Sequence, residues 1–470
     1  MRSHTSRNPW QAKTHTWQVD VTAGADANSG NAVAPIQTTT KVNALALRPG
    51  DRVLFKRGET WRGTGVSAPA SGRPGRPIMF GAYGSGARPI LDGTYDATGW
   101  ALHAGAIYDK DLSGTWVSPN QVFEDGVRLT YVAAYGDMVA GSYFWDNSVG
   151  NLYIWCTDGA DPDTHTISLP ETYTHCFNSN SKAHLDVRSI HALRGYYAGF
   201  YFREMPASRD IVLTDCYSSW QAQRGYDMGD YVVEGLSDIT FEGCVAADCM
   251  GEGWHLSNGT RLKAINCQVL NGAADHAKDG IPSNSGGMII GIRSVDCEIR
   301  NCYVEAIYGT GLQTEQEPGY ARPLRAKFYT NEVQGSPLSG DAGDCFVDEG
   351  TDTICQGNTF TNDASDYNVE IRDGSDNCHF MSNTVIGAAA WMFITDGCTN
   401  LSVYGNSFTL STYTAFVNFL NAGDVVGLYI DYNYYAQKSG NVWRWHTGDY
   451  ASTLAQWRTL TGQEANSTWS

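Results

Sequence analysis

Several similar short segments in the second half of the chain contain a glutamate or end in one, and the spacing of these glutamates could support acid–base chemistry. Glu315 ends the segment GLQTE, Glu349 ends CFVDE, and Glu370 lies within NVEIRDG. Two carboxyl groups about 5 Å apart or somewhat further can cleave a glycosidic bond, one as acid and the other as nucleophile or base. These glutamates are therefore the leading catalytic candidates, provided that the fold places their segments side by side.

The glutamate segments belong to a larger set in which apolar and polar residues alternate. Such alternation predicts β-strands with one buried face. The segments are GFYFRE from Gly199, DYVVEG from Asp230, GWHLSNG from Gly253, GIPSNSG from Gly280, GLQTEQ from Gly311, CFVDEG from Cys345, NVEIRDG from Asn368 and WMFITDG from Trp391. Their alignment predicts an inward stack of Phe200, Tyr231, Trp254, Ile281, Leu312, Phe346, Val369 and Met392.

A recurring turn precedes these segments. The pair Asn301-Cys302 has counterparts at Asp215-Cys216, Gly243-Cys244, Asn266-Cys267, Asn331-Glu332, Asn358-Thr359, Asn383-Thr384, Asn406-Ser407 and Asn433-Tyr434. The repeats follow one another at intervals of roughly 23 to 35 residues, which favours a coil with fixed strands and variable loops. Each repeat therefore predicts one solenoid turn: a short strand, the Asn/Cys turn, a second strand, a loop and a third strand.

Asp348 is the residue that fits this alignment least well. It falls in the second inward row, where burial of a lone carboxylate is costly. We therefore expect the register to slip locally at that turn.

The chain resembles the right-handed parallel β-helix proteins of the pectate-lyase-like superfamily. The resemblance rests on the repeats, on the opening VDVTAGADANSG and KVNALALRPGDRVLFKRGETWRG, and on the closing NYYAQKSGNVWRWHTGDYASTLAQWRTLTGQEANS. It implies an all-β, right-handed parallel β-helix with short capping helices. It does not select a reaction, because the superfamily contains lyases, hydrolases, epimerases, tailspikes and binding proteins.

The expected organisation has four parts. Residues 1–99 form an N-terminal cap and the first rungs, 100–175 an inserted β-rich module with Asp-Gly and Asn turns, 176–440 the body of the β-helix, and 441–470 a C-terminal cap. Short helices are predicted within Thr38 to Leu47 and from Thr453 to just before Gly462.

Composition excludes several classes of partner. The net charge of −18 argues against nucleic acid, and no apolar run is long enough to cross a bilayer. The twelve cysteines include no CxxC pair, so we expect them to be reduced and mostly buried as small apolar residues. No signal peptide is visible at the start of this chain, and the oligomeric state is left open.

Parallel strands stacked about 4.8 Å apart would place the outward residues along a groove. One predicted outward row is Tyr201, Val232, His255, Pro282, Gln313, Val347, Glu370 and Phe393; the other is Arg203, Glu234, Ser257, Asn284, Glu315, Glu349, Arg372 and Thr395. Glu315 and Glu349 would lie on adjacent rungs. We predict Glu315, Glu349, Glu370, Lys278 and Asp279 as catalytic, and His255, Gln313, Arg372, Trp254, Tyr308 and Glu252 as substrate-binding. The alternative is that these residues have no catalytic role and form a row of solvent-exposed ion pairs, in which Glu349 pairs with Arg372.

Three functions remain open. The favoured one is hydrolysis of an extracellular or cell-surface polysaccharide with no required cofactor. The second is a polysaccharide lyase acting on a uronate, with Lys278 as base and with Ca²⁺ held by Asp275, Asp279, Asn284 and Glu315. The third is a carbohydrate-binding tailspike or adhesin. Each implies a polysaccharide partner and an extracellular or virion-associated location.

Overall fold

Three long parallel β-sheets wind around one elongated core. A computed structural model of the chain describes residues 14–114, 118–172, 174–202, 208–228, 235–272, 287–306, 309–335, 345–362, 368–387, 392–395, 397–410, 417–419, 427–436, 443–445, 449–451 and 453–469. Each full turn contributes one strand to sheet I, then one to sheet II and one to sheet III, so like strands pair in parallel from turn to turn. The fold is the parallel β-helix that the repeats predict.

Sheet I is formed by the first strand of each turn. Its strands are Thr16–Val19, Arg52–Lys56, Ile78–Tyr83, Leu185–Arg188, Arg209–Thr214, Leu236–Glu242, Gly259–Thr260, Lys263–Ile265, Glu298–Arg300, Lys327–Tyr329, Ile354–Gln356, His379–Met381, Ser402–Tyr404 and Tyr429–Asp431.

Sheet II is formed by the strand that follows the turn. Its strands are Thr60–Arg62, Ile90–Asp92, His191–Leu193, Tyr217–Ser219, Val245–Ala247, Gln268–Gly272, Tyr303–Ala306, Glu332–Gln334, Thr359–Asn362, Thr384–Gly387, Ser407–Leu410, Tyr434–Ala436 and Thr468–Trp469.

Sheet III is formed by the strand after the variable loop. Its strands are Val66–Ser67, Phe177–Asn178, Ala198–Tyr201, Arg224–Met228, Trp254–Leu256, Met288–Ile290, Leu312–Thr314, Phe346–Asp348, Val369–Ile371, Met392–Ile394, Val417–Phe419, Trp443–Trp445 and Asp449–Ala451. The last of these strands pairs antiparallel with its neighbour.

The inward stack of sheet III corrects the predicted alignment at two turns. The stack is Phe200, Tyr226, Trp254, Met288, Leu312, Phe346, Val369 and Met392. The assignments of Tyr231 and Ile281 were wrong, because the rung strands there are Arg224–Met228 and Met288–Ile290; Tyr231 and Ile281 lie outside the described residues. Arg224–Met228 alternates as DYVVEG does, whereas Met288–Ile290 is three apolar residues in a row and shows no alternation.

The expected register slip at Asp348 was also wrong. Asp348 lies in the inward row, fully buried, within an unbroken pairing of Phe346–Asp348 with Val369–Ile371. Its carboxylate accepts hydrogen bonds from Thr314 Oγ1 at 2.7 Å and from Ser375 Oγ at 2.9 Å. Hydroxyl donors from neighbouring turns therefore compensate for its desolvation.

The corner between sheets I and II holds a ladder of cysteines and asparagines. Its members are Cys216, Cys244, Cys267, Cys302, Asn331, Asn358, Asn383, Asn406 and Asn433, all buried. The backbone N–H of Cys302 donates to Asn331 Oδ1 at 2.9 Å, so Asn331 is the counterpart of Cys302. The predicted pairing of Asn331 with Asn301 was therefore wrong by one residue.

The residue before each ladder position turns the chain. Its φ is positive at every one of these turns, for example 52° at Asn301, 51° at Thr330 and 68° at Gly357. A left-handed residue at each turn lets strands of two sheets meet at a sharp corner. All twelve cysteines of the chain are free and buried, as expected.

Helices cover both ends of the coil at the predicted places. The first is Thr39–Asn43, whose N-cap Thr38 accepts a hydrogen bond from Lys41 N. The second is Leu454–Thr461, with N-cap Thr453 and Gly462 in the left-handed conformation at its end. In the described part of the chain, no helix is long and apolar enough to span a bilayer.

Between the early rungs and the body, the chain adds two mostly antiparallel sheets. One holds Thr94–Asp96, Phe123–Glu124, Val127–Arg128 and Ile167–Pro170; the other holds Ala101–Ala104, Ile107–Asp111, Thr130–Tyr131, Ser142–Asp146 and Asn151–Trp155, and short 3₁₀ turns span Tyr135–Asp137 and Pro162–Thr164. These strands have apolar clusters of their own, separate from the core of the coil. They form the inserted β-rich module; the exact domain boundaries stay predictions.

Candidate functional site

The outward face of sheet III carries three of the described candidate residues in one row. Pairing of the strands places Tyr201, Asp227, His255, Ile289, Gln313, Val347, Glu370 and Phe393 in register. Val232 and Pro282 were therefore wrong as members of this row, and Asp227 and Ile289 take their places. His255, Gln313 and Glu370 occupy the predicted positions.

This row is far less exposed than an open groove would be. His255 retains 6% of its accessible surface, Gln313 1% and Glu370 9%. The alternation predicts that only the inward face of each strand is buried, and for these three outward residues that prediction was wrong. Buried polar side chains need partners, so their contacts define what the site can do.

His255 lies between two carboxylates. Its Nδ1 is 3.5 Å from Asp227 Oδ1, and its Nε2 is 3.3 Å from Glu315 Oε2. Burial and the nearby Arg224 lower the pKa of His255, but the hydrogen bonds to Asp227 and Glu315 outweigh them and raise it to about 8. At neutral pH the imidazole is therefore cationic; its Nε2 donates to Glu315, and Asp227 lies at ion-pair distance from its Nδ1.

Arg224 continues this chain of charges. Its Nε is 2.8 Å from Glu252 Oε2, and its Nη1 is 3.5 Å from Asp227 Oδ2. Burial raises the pKa of Glu252, but the positive charges of Arg224 and His255 outweigh it and hold that pKa below its usual value. Glu252 is thus an ion-pair partner at this face.

Glu349 has a different environment. Its Oε1 accepts from Arg372 Nε at 2.6 Å and its Oε2 from the backbone N–H of Gln316 at 2.7 Å. Burial nevertheless outweighs the Arg372 charge and raises the pKa of Glu349 above its usual value. The contact of Arg372 with Glu349 confirms the predicted pairing of these two residues. Arg372 Nη1 also lies 2.8 Å from Glu370 Oε2.

Gln313 lies between these two groups of charges with its amide unused. In the described part of the chain, neither its Oε1 nor its Nε2 has a hydrogen-bond partner, although both atoms are buried. Ser257 Oγ is buried and unpartnered as well. Such atoms are expensive to leave unsatisfied, and they mark places where a bound molecule could donate and accept hydrogen bonds.

Trp254 does not line this face. It is fully buried in the inward stack, with its ring centroid 4.4 Å from that of Tyr226. Its predicted role in binding substrate was therefore wrong, because the residue that stacks in the core cannot also meet a sugar outside it. Lys278, Asp279 and Tyr308 lie outside the described residues, as do Asp275 and Asn284.

Sequence reasoning missed Asp227 and Gly291. Asp227 was missed because the neighbouring segment DYVVEG alternates as well as RGYDM does. Gly291 stands where Asn284 was predicted, and a Cβ there would overlap Ser257 Oγ and lie 3.2 Å from His255 Nε2. Because Gly291 has no side chain, His255 can reach across the strand Met288–Ile290 to Glu315, which follows the next strand, Leu312–Thr314.

Comparisons with known proteins agree with this fold. The chain is similar in structure to XylC in its complex with xylose, with a TM-score of 0.58, 12% identity, and coverage of 91% of this chain and 86% of the other. It is also similar to a glycoside hydrolase (TM-score 0.50, 12% identity, 96% and 99% coverage). A third similar structure is the A-module of the Azotobacter vinelandii mannuronan C-5 epimerase AlgE6 (TM-score 0.50, 13% identity, 90% and 90% coverage). No family model and no curated protein matches the sequence.

Proposed function

We propose that this protein hydrolyses glycosidic bonds of an extracellular or cell-surface polysaccharide, with Glu315 and Glu349 as its catalytic carboxylates. The observation that carries the proposal is their common position on adjacent rungs of sheet III. Gln313 and Val347 are paired in register, and each glutamate follows two residues later. Rung spacing of about 4.8 Å is close to the roughly 5 Å between the carboxyl groups of retaining glycosidases.

The two environments suit different roles. The raised pKa of Glu349 favours a protonated carboxyl group, which is what a general acid needs. Glu315 Oε2 lies 3.3 Å from His255 Nε2, which holds the Glu315 carboxyl group in position. Glu349 would protonate the leaving glycosidic oxygen while Glu315 attacks the anomeric carbon; Glu349 would then activate the water that releases the sugar.

Glu370 is the alternative partner of Glu315. Glu370 lies two rungs from Gln313, so pairing it with Glu315 would approach the longer separation of inverting enzymes, about 6.5–9.5 Å. Its ion pair with Arg372 instead supports a role in holding Arg372 against Glu349.

Binding of a sugar would involve the unpartnered amide of Gln313. The amide offers one acceptor and a donor group, which match neighbouring sugar hydroxyls. Contacts with substrate are also predicted for His255, Arg372 and Glu252. Each of these side chains already pairs with another one and would keep that partner while it contacts the sugar. The similar structures named above include a xylose complex and a glycoside hydrolase, which supports a sugar as the ligand.

A panel of polysaccharides tests the proposal. Each polymer is incubated with the protein and assayed for new reducing ends and for the ultraviolet absorbance of unsaturated sugars. Reducing ends without that absorbance support hydrolysis. Both signals would instead identify a lyase, for which Lys278 is the predicted base and Ca²⁺ the predicted ion. Binding of a polymer without cleavage would identify an adhesin.

A further inference from the structure

Glu124, Cys156 and His165 bring three different metal-binding groups together in the inserted β-rich module. One ligand atom from each, a carboxylate oxygen, the thiol sulfur and an imidazole nitrogen, lies within 4.8 Å of the other two. Glu124 ends the strand Phe123–Glu124, and Cys156 directly follows Asn151–Trp155. The cluster therefore joins the two sheets of the module.

Burial makes this an unusual place for such groups. Cys156 is fully buried and Glu124 retains 4% of its accessible surface. The side chain of His165 is 16% exposed, which leaves a route from solvent to the cluster.

The histidine is oriented as a metal ligand would be. Its Nε2 lies 3.2 Å from Asp158 Oδ1, while its Nδ1 faces Glu124 Oε1 at 3.5 Å and Asp125 Oδ2 at 2.9 Å. Asp158 on Nε2 fixes the orientation of the ring, and a metal at Nδ1 would take the place of the proton that Nδ1 shares with Asp125.

Glu124 is itself held in position. Its Oε2 accepts from Thr157 N at 2.9 Å, and its Oε1 accepts from Thr157 Oγ1 at 3.0 Å and from Thr157 N at 3.2 Å, which leaves a second lone pair on Oε2. Thr157 follows Cys156 directly, so the same backbone segment positions the thiol and the carboxylate.

We propose that Glu124, Cys156 and His165 bind a Zn²⁺ ion that fastens the two sheets of the module together. Thiolate, imidazole and carboxylate are the donors that Zn²⁺ takes, whereas Ca²⁺ and Mg²⁺ prefer oxygen alone. Binding transfers the thiol proton, and the proton on His165 Nδ1, to solvent as the metal bonds form. This site is independent of the outward face of sheet III.

Titration with Co²⁺ tests the site, since a thiolate bound to Co²⁺ gives a charge-transfer absorbance that oxygen and nitrogen ligands do not. The full chain is treated with a chelator, dialysed, and titrated with Co²⁺ and then with Zn²⁺. We expect one equivalent of Co²⁺ to produce the absorbance and Zn²⁺ to displace it. Absence of stoichiometric binding by the wild-type protein would overturn the proposal.

Variants assign the signal. Cys156→Ser and His165→Gln should abolish the charge-transfer band, and Asp158→Asn should weaken Zn²⁺ binding on the order of tenfold or more. His103→Gln, which changes another histidine of the same module, is the matched control and should bind as the wild type does. If Cys156→Ser does not fold, His165→Gln decides, because its side chain is partly exposed. A band that persists in His165→Gln would overturn the site.

Discussion

His255 Nε2 lies 3.3 Å from Glu315 Oε2, although a whole strand of sheet III separates their two strands. The intervening strand, Met288–Ile290, is followed by Gly291, which has no side chain to block the contact. A long-range contact of this kind fixes both the charge of the imidazole and the position of the carboxylate. It is the point at which the candidate site is most sensitive to a small change.

Gly291→Ala is expected to disturb this contact. The added Cβ would overlap Ser257 Oγ and press on His255, and overpacking of this kind lowers the free energy of unfolding by about 1–3 kcal/mol. We also expect the pKa of His255, measured by NMR, to fall as Glu315 is displaced. Gly136→Ala, at a position with open space around it, is the control. An unchanged pKa of His255 in Gly291→Ala would show that the glycine does not maintain the contact.

Stability should depend on pH through His255. Its folded-state pKa of about 8 is above the ordinary value of about 6.5, so the folded state holds the proton more tightly. The resulting stabilisation, about 2 kcal/mol, is fully present below about pH 6.5 and is lost as the pH rises through 8. Urea unfolding near pH 6 and near pH 9 measures it. His255→Gln should remove this part of the pH dependence, and an identical dependence in both proteins would contradict the assignment.

The repeats predict the fold well because strand alternation and turn residues are local signals. They locate the strands at Trp254, Leu312, Phe346 and Val369, and both capping helices, from the sequence alone. They fail at Tyr231, where two alternating segments compete within one turn and the sequence alone does not identify the one that pairs. They fail at Ile281 because the true strand, Met288–Ile290, is uniformly apolar and gives no alternation signal.

The candidate site is less predictable, because its contacts cross between turns. The pairing of Glu349 with Arg372 follows from equal positions on adjacent rungs and could be foreseen. The contact of His255 with Glu315 depends on Gly291 in the rung between them, and Gln313 is buried although it lies in the outward row. Neither is encoded in the spacing of one strand.

The two proposed catalytic glutamates can be tested by removing their ionisable groups while keeping their shape. On a substrate found in the panel, Glu315→Gln and Glu349→Gln should each lower kcat by on the order of 10²–10⁴, because each removes a proton donor or an attacking group. The Glu349 variant should also lose the basic limb of the pH profile, which the raised pKa of Glu349 sets. Glu332→Gln, an exposed glutamate of sheet II, is the control. Turnover within a few-fold of wild type for both variants would exclude this pair.

The asparagine ladder should be a large source of stability. Asn383 Oδ1 accepts from Asn358 N at 2.9 Å and from Asn358 Nδ2 at 3.0 Å, while its own Nδ2 donates to Cys355 O at 3.0 Å. Asn383→Ala leaves these buried groups unpaired and should lower the free energy of unfolding by roughly 2–5 kcal/mol. Thr384→Ala, one residue further on and half-buried, should have a much smaller effect. Equal losses in the two variants would show that the ladder bonds are not the cause.

The C-terminal cap both closes the core and ends the ladder. Trp457, on the helix Leu454–Thr461, is fully buried in the main core, and Asn433 N donates to Ser467 Oγ at 2.8 Å. The strand Thr468–Trp469 pairs with Tyr434–Ala436 and covers the last edge of sheet II.

Deletion of all residues after Asp449 should therefore cause aggregation, because it exposes core side chains and an unpaired strand edge together. Light scattering of the purified protein and its soluble yield measure this. Trp457→Ala separates the two causes: it keeps the paired edge, so it should remain soluble while losing about 3–5 kcal/mol of unfolding free energy. Gln456→Ala, on the exposed side of the same helix, is the control. A soluble truncated protein with an unchanged Tm would show that the cap is dispensable.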